Sequence, residues 1–152
     1  MMDKINYTII TDTREQNPLW TKNIINKKLD VGDYSIEGYE DKIAIERKSP
    51  GDLFGTLGKG HKRFKKELER ALTYDFFAIV IETNYTNILN KEFEGAFHSK
   101  MRGYVITSIL STLIIKYNIH VFFCNGRVEA KKLIKDLFNA YVKIQEKKKN
   151  EN

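Results

Sequence analysis

The residue types and spacing that bear most directly on chemistry are those of Asp33, Glu46 and Lys48. Asp33 lies on one extended segment, and Glu46 and Lys48 follow the short apolar run 43–45. If adjacent strands bring these side chains together, two carboxylates and an ammonium group form a site for a hard divalent cation. Such a site also accepts a phosphate and a water molecule beside the ion. That combination is the chemistry of phosphodiester hydrolysis.

The residues around this trio extend the predicted site. Residues two apart on a strand share a face, so Lys48 is expected beside Glu46 while Arg47 points the other way. Lys48 is predicted to orient the attacking water or to neutralise the phosphate. Asp52, in the first turn of the following helix, has two possible roles that stay open. It either holds Lys48 or Arg47 in place or caps the helix.

The end of the first predicted strand supplies another acid. Asp12 joins the cluster if this strand pairs near the others, and it is then a third metal ligand, direct or through water. Arg14 follows in the loop and is suited to clamp a phosphate with two donors. Charged residues at strand ends are usually solvated. Here the flanking residues are apolar and β-branched, and charges entering such a run must be paired or metal-bound.

A basic segment follows the predicted site. Six Lys and Arg residues lie between positions 59 and 70, against two Glu, and the whole chain has a net charge of +6. Basic charge of this kind is typical of a surface that meets a phosphate backbone. An ordinary exposed helix face with Lys–Glu pairs is the alternative. The residues predicted to contact DNA are Arg14, Lys59, Lys62, Arg63 and Lys66.

Length and composition restrict the class of protein. A chain of 152 residues suits one domain, and 41% hydrophobic residues are enough to build a core. The single cysteine, Cys124, excludes an intrachain disulfide and a cysteine-rich zinc site. No apolar stretch approaches the roughly 20 residues needed to cross a membrane. We therefore expect an intracellular, cytoplasmic protein, in a nucleoid or viral replication context, with no membrane partner.

Hydrophobic periodicity predicts the elements that position the site. Strands are expected at 7–11, 31–37, 42–48, 76–81 and 119–123. Helices are expected at 19–28, from Ser49 onward, and at 62–73, 99–117 and 128–144. The second and third strands form a hairpin around Gly38. Alternation of strands and helices predicts an α/β fold with a mixed central β-sheet flanked by helices.

Two helices carry local signals. Ser49 is a good N-cap for a helix whose first turn contains Pro50 and Asp52. The helix 62–73 is predicted to bury four apolar side chains, Phe64, Leu68, Ala71 and Leu72. A single domain is expected over residues 1–146, followed by a polar, disordered tail at 147–152.

The charged residues match a known pattern over about residues 7 to 144. The chain resembles the XPF-type (ERCC-type) structure-specific endonucleases. The matching motifs are Gly32-Asp33, Glu46-Arg47-Lys48-x-x-x-Asp52, Asp12-x-Arg14-Glu15, Arg63-Phe64-x-x-Glu67-Leu68 and the apolar strand that ends in Glu82.

This resemblance implies a restriction-endonuclease-like core that uses Mg²⁺ or Mn²⁺ to cut one DNA strand near a branch, fork or flap, in repair, recombination or replication. It implies that Asp33 and Glu46 hold the metal and that Lys48 serves the water or the phosphate. Asp12 and Arg47 complete the catalytic set. The supporting residues are Glu15, Asp52, Glu67 and Glu82.

The resemblance also sets expectations about partners. Larger family members carry a tandem helix-hairpin-helix module, and no such module is expected after Ile144. DNA, especially branched DNA, is the expected partner, with a homodimer through the last two helices and a recruiting protein. The wide apolar stripes of those helices are equally compatible with burial against the sheet alone. Two other functions stay open: a non-catalytic nuclease-like subunit that scaffolds an active partner, and a sequence-specific restriction-type enzyme.

Overall fold

One mixed sheet of six strands forms the centre of the protein. The computed structural model describes residues 6–151; residues 1–5 and Asn152, which belong to the predicted domain and tail, lie outside the described residues. The strand order is β2-β1-β3-β4-β5-β6. The strands are β1 (Ile9–Thr11), β2 (Ile24–Asn26), β3 (Tyr34–Ile36), β4 (Ile43–Lys48), β5 (Phe76–Ile81) and β6 (His120–Phe123).

The predicted hairpin of β3 and β4 is present at the centre of the sheet, with β1 and β2 on one side and β5 and β6 on the other. β3 and β4 are antiparallel, with Tyr34 opposite Ile45. β4, β5 and β6 are parallel to one another, so their carboxyl ends lie at one edge. Polar residues that follow such strands therefore meet at that edge, and this places Glu46–Lys48 beside Glu82.

Helices cover both faces of the sheet. They are α1 (Pro50–Leu57), α2 (His61–Ala71), α3 (Tyr85–Leu89), α4 (Gly103–Tyr117) and α5 (Arg127–Asn150), with a 3₁₀ turn at Ala96–His98. The helices α1 to α4 pack on one face, around Leu68 and Ile79. α5 packs on the other face, around Ile134 and Phe138. The alternation of the buried strands, with Ala44 on one face and Ile45 on the other, divides the core in this way. Among residues 6–151 no helix is long and apolar enough to span a bilayer.

The helix predicted at 19–28 is wrong. The segment is irregular and then forms β2, which pairs in parallel with β1 through Ile9 and Ile24. Asn23, just before it, has a left-handed φ of 56°, which a helix does not allow. The β-branched pair Ile24–Ile25 favours a strand once β1 offers a partner.

Helix boundaries differ in three places. Leu72 was expected in the apolar face of α2, but α2 ends at Ala71 and Leu72 is 59% exposed. α4 begins at Gly103 rather than near Ser99. Gly103 is required there because a Cβ atom would overlap the carbonyl oxygen of Leu89. α5 runs to Asn150, past its expected end near Ile144, and includes most of the predicted tail.

Candidate active site

An open polar cavity of about 520 Å³ lies at the carboxyl ends of β1, β4 and β5. The structure brings into its lining every residue predicted as catalytic, metal-binding or supporting, together with Arg14. These residues are Asp12, Arg14, Glu15, Asp33, Glu46, Arg47, Lys48, Asp52, Glu67 and Glu82. Gln16 and Asn17 lie in the same loop as Glu15 and also line the cavity, although their sequence pattern did not predict a role there.

Asp33 is held by the backbone of the neighbouring strand. Gly32 turns the chain with a φ of 76°, and a Cβ atom there would lie 3.0 Å from the Ile45 carbonyl oxygen. This close approach lets the Asp33 N–H donate to the Ile45 carbonyl at 2.8 Å. The Arg47 N–H in turn donates to Asp33 Oδ2 at 2.7 Å. Burial and the charge of Glu46 raise the pKa of Asp33 well above its usual range, against the lowering effect of the Arg47 N–H.

Glu46 and Lys48 share the face of the sheet that α1 and α2 cover. Lys48 Nζ lies 3.5 Å from Glu46 Oε1. Glu46 is 7% exposed, and burial together with contact with Glu67 raises its pKa well above the usual range. Burial alone would lower the pKa of Lys48. The nearby charges of Glu46, Asp33 and Glu67 outweigh that effect and raise it.

Glu67, on α2, brings a third carboxylate to this face. Its Oε1 atom is buried and has no hydrogen-bond partner in the described part of the chain. Two carboxylates in contact need a proton or a cation between them. Within residues 6–151 no three or more His, Cys, Asp or Glu side chains are grouped so that they could hold a metal ion together. An open site of a few carboxylates suits Mg²⁺ or Mn²⁺, because Mg²⁺ keeps several waters and takes only one or two protein carboxylates.

Arg47 lies on the opposite face from Glu46, as the strand period predicts. Its side chain nevertheless borders the same cavity, because β4 ends there. Nη1 donates to Glu82 Oε1 at 2.8 Å, and Nη2 donates to the Asn17 carbonyl at 3.0 Å. Nε is 3.6 Å from Glu15 Oε2. Arg47 therefore connects the end of β5 with the loop after β1.

The carboxylate of Asp12, predicted as a third metal ligand, already has hydrogen-bond partners in this structure. Both of its carboxylate oxygens accept hydrogen bonds within the described chain: Oδ2 from Arg14 Nε at 2.9 Å, and Oδ1 from the Leu29 N–H at 2.8 Å. Arg14 Nη2 also donates to the Leu29 carbonyl at 2.9 Å. In this structure Asp12 therefore orders Arg14 and the chain before β3. Arg14 remains 64% exposed toward the cavity mouth.

The helix cap at the site involves Ser49. Its Oγ accepts a hydrogen bond from the Asp52 N–H at 3.2 Å, so the predicted N-cap is present. The Asp52 side chain is exposed and lines the cavity. The backbone of Asp52 thus serves the cap, while its carboxylate faces the site.

The predicted DNA-contact residues other than Arg14 lie outside the central cavity. Arg63 lines an adjoining cavity of about 400 Å³ together with Lys48 and Glu67. Lys62 and Lys66 are exposed on α2, and Lys59 is exposed between α1 and α2. These four basic residues therefore extend the site along one side rather than forming part of its centre.

Arg127, in the first turn of α5, supports the site and was not found from the sequence. Its guanidinium donates to the carbonyl oxygens of Asn17 at 2.9 Å and Pro18 at 2.5 Å. The Asn17 carbonyl thus accepts from both Arg47 and Arg127. The contacts join residues 110 and 109 positions apart, so neither local pattern nor charge spacing could indicate them.

Comparisons with known proteins identify the family and the fold. The family model described as the ERCC4 domain matches residues 8–137. XPF from Aeropyrum pernix is similar in structure, with a TM-score of 0.68 and 20% identity; the match covers 88% of this chain and 64% of that one. The same protein in complex with DNA has a TM-score of 0.68 and 20% identity, with 91% and 66% covered.

These matches have clear bounds. The chain spans less than two thirds of the length of either solved chain. A comparison with curated proteins finds no match. The solved structures share the mixed sheet with flanking helices, which confirms the predicted fold class. Because the family model covers most of its length, the chain belongs to the ERCC4 domain family.

Proposed function

We propose that this protein is a divalent-metal-dependent DNA endonuclease that hydrolyses phosphodiester bonds in branched, forked or flapped DNA. The observation that carries the proposal is the convergence of Asp33, Glu46 and Glu67 around Lys48 in an open cavity. One of these carboxylates has a buried oxygen atom with no partner among the described residues. Anionic oxygens held in this way, beside one ammonium group, fit a Mg²⁺ or Mn²⁺ ion.

Each site residue has a distinct proposed task. Asp33 and Glu46 would hold the ion, and Glu67 would offer a further oxygen. When bound, the ion supplies Lewis-acid charge for the phosphate and lowers the pKa of water. Lys48, held at 3.5 Å from Glu46, donates to a phosphate oxygen or orients the attacking water. The role of Asp12 as a third ligand stays part of the proposal, although its oxygens here accept hydrogen bonds from Arg14 and Leu29.

Arg47 and its partners position the site rather than react. Arg47 joins Glu82 to the loop that carries Glu15 and so fixes the outer wall of the cavity. The exposed guanidinium of Arg14 is available at the cavity mouth. Together with the basic residues around α2, it offers contacts to the phosphates on either side of the cleaved bond.

Cleavage of a defined panel of DNA tests this proposal. Labelled forks, flaps, splayed arms, four-way junctions and linear duplex are incubated with Mg²⁺, Mn²⁺ or EDTA. We expect cuts near the branch that need the metal, and Asp33→Asn or Glu46→Gln should leave less than about 1% of the rate. Glu69→Gln is the matched control, because it removes one exposed carboxylate from α2.

The possible outcomes separate the competing functions. Tight binding of branched DNA without cleavage in any metal would show that the protein is a non-catalytic scaffold subunit and not an enzyme. Cutting of linear duplex at one fixed sequence would favour a restriction-type enzyme. Unchanged cleavage by both acid variants would contradict the assigned site. Calorimetric titration with Mn²⁺ gives a second measurement: the wild type should bind the ion, and Glu46→Gln should bind it much more weakly.

We also propose a homodimer through α4 and α5. Three aliphatic side chains on these helices face solvent: Ile115 and Val128 are 84% exposed and Ile144 is 53% exposed. β6 is an edge strand beside them. Sedimentation velocity of Val128→Glu should show a monomer if the surface pairs two copies. Leu72→Glu, a control at a 59% exposed position just after α2, should leave the mass unchanged. A monomeric wild type at high micromolar concentration would contradict the dimer.

A further inference from the structure

A groove of about 670 Å³ adjoins the site, between α1 and the loop 93–101. Two glycines of α1, Gly51 and Gly55, form part of its wall, and a Cβ atom at either position would meet no atom within 4 Å. The partly buried ring of Phe93 packs on the buried ring of Phe54, which is 2% exposed, with centroids 5.1 Å apart. Phe93 and the partly buried Met101 therefore supply the apolar surface of the groove. The groove is therefore open and has an apolar part between the glycines of α1 and the loop 93–101.

The loop that forms the other wall is held in place. Met101 packs against Gly58, where a Cβ atom would lie 2.9 Å from its sulfur. Lys91 Nζ donates to the Ser99 carbonyl at 2.6 Å. Gly95, with a φ of 81°, starts the 3₁₀ turn that carries His98 into the groove. The wall is thus organised before anything binds.

The groove is continuous with the active site. Gly51 and Gly55 also line the adjoining cavity that reaches Lys48, Asp52 and Glu67. At its rim Lys59 and Lys100 carry positive charge, against the single carboxylate of Glu94. A strand that crosses the site thus has a direct path over the glycine face of α1, with lysines in position for its phosphates.

We infer that this groove binds one unpaired nucleotide of the DNA strand next to the cleaved bond. The base lies against the accessible parts of Phe93 and Met101, and its phosphate contacts Lys59 or Lys100. An aromatic side chain beside basic residues binds single-stranded bases without regard to sequence. An apolar peptide is the other candidate occupant. The basic rim and the direct opening toward the phosphodiester site favour the nucleotide. The inference rests on the proposed function, because it needs DNA to reach that site.

Two substitutions at one position test the groove without disturbing the fold. Gly55→Leu fills the groove, whereas Gly55→Ala adds only a methyl group that meets no neighbour. Both replace a helical glycine, so each should hold or raise the melting temperature. Ala140→Leu, on the exposed face of α5 across the sheet, controls for adding an apolar side chain.

The measurement is binding in EDTA of a fluorescein-labelled ten-nucleotide thymidine strand, by anisotropy. A strand of ten abasic sites with the same phosphates is the matched ligand. The wild type, Gly55→Ala and Ala140→Leu should bind the thymidine strand about tenfold more tightly than the abasic strand. Gly55→Leu should bind the two strands equally.

Each other result overturns the inference. Equal binding of both strands by the wild type means that the protein does not recognise bases. The groove would then bind a peptide, or the lysines would attract only the phosphates. A base preference that survives in Gly55→Leu places the recognised base elsewhere. Because binding is measured without divalent ions, these failures are separate from failure of the nuclease proposal, which appears as absent cleavage with Mg²⁺ and Mn²⁺.

Discussion

Replacing Glu46 by Gln should stabilise the metal-free protein while it removes activity. Glu46 is 7% exposed and contacts Glu67, whose Oε1 has no partner among the described residues. A buried ion costs several kcal/mol even after relaxation, and attraction to Lys48 at 3.5 Å offsets only part of that cost. Gln keeps the shape and can donate to a carboxylate of Glu67, a hydrogen bond that contributes about 1 kcal/mol.

We therefore expect the free energy of unfolding at pH 8 in EDTA to rise by about 2 kcal/mol. For a chain of this length, that increase corresponds to about 4–8 °C in melting temperature. Thermal unfolding followed by far-UV circular dichroism measures the shift. Glu69→Gln, which removes an exposed charge from the same helix as Glu67, should stay within about 0.5 kcal/mol of the wild type.

The pH dependence follows from the direction of the shift. The pKa of Glu46 is raised in the folded state, so Glu46 binds its proton more tightly there than in the unfolded chain. Its stabilising contribution is complete below the unfolded pKa and disappears as the pH rises through the folded pKa. The advantage of Glu46→Gln should therefore shrink on acidification. Mg²⁺ should stabilise the wild type and not the variant. A variant less stable than the wild type at pH 8 in EDTA would refute the reasoning.

Three further substitutions test the supporting structure. Ser49→Ala should lower the free energy of unfolding by about 1 kcal/mol in urea denaturation, because it removes the cap of α1; no loss would contradict the cap. Leu68→Ala, at a fully buried position, should cost about 2–5 kcal/mol in the same assay, and a cost below about 1 kcal/mol would contradict the packing of α2. Arg127→Gln should slow cleavage several-fold with little change in melting temperature, since it frees the carbonyls of Asn17 and Pro18. Unchanged cleavage would show that this loop needs no such anchor.

The sequence was most informative where interactions are local. The β3–β4 hairpin, the cap at Ser49 and the strand 76–81 follow from turn residues, capping chemistry and apolar runs. Glu46 and Lys48 share a face because a strand has a period of two. The grouping of the site residues followed from this periodicity and from the family resemblance.

Elements that form only through contacts with distant parts of the chain could not be predicted from local sequence patterns. The segment 19–28 contains helix formers, and only pairing of Ile24 with β1 makes it a strand. Leu72 fits the helical period, yet the helix ends one residue earlier. The hydrogen bonds of Asp12 with Leu29 and of Arg127 with Asn17 join separate parts of the chain, and no periodic pattern encodes them.

The hairpin has a consequence for how the chain tolerates change. Asp33 is fixed by hydrogen bonds with Ile45 and Arg47, so the ladder between the strands, and not the number of intervening residues, sets its position beside Glu46. The exposed tip at Gly38 lies at the far end of that ladder. Extra residues inserted there should be accommodated, and the tip is a natural place for a tag or a lineage-specific insertion. A one-residue slip in the pairing of β3 with β4 would instead turn Asp33 to the other face of the sheet and separate it from Glu46.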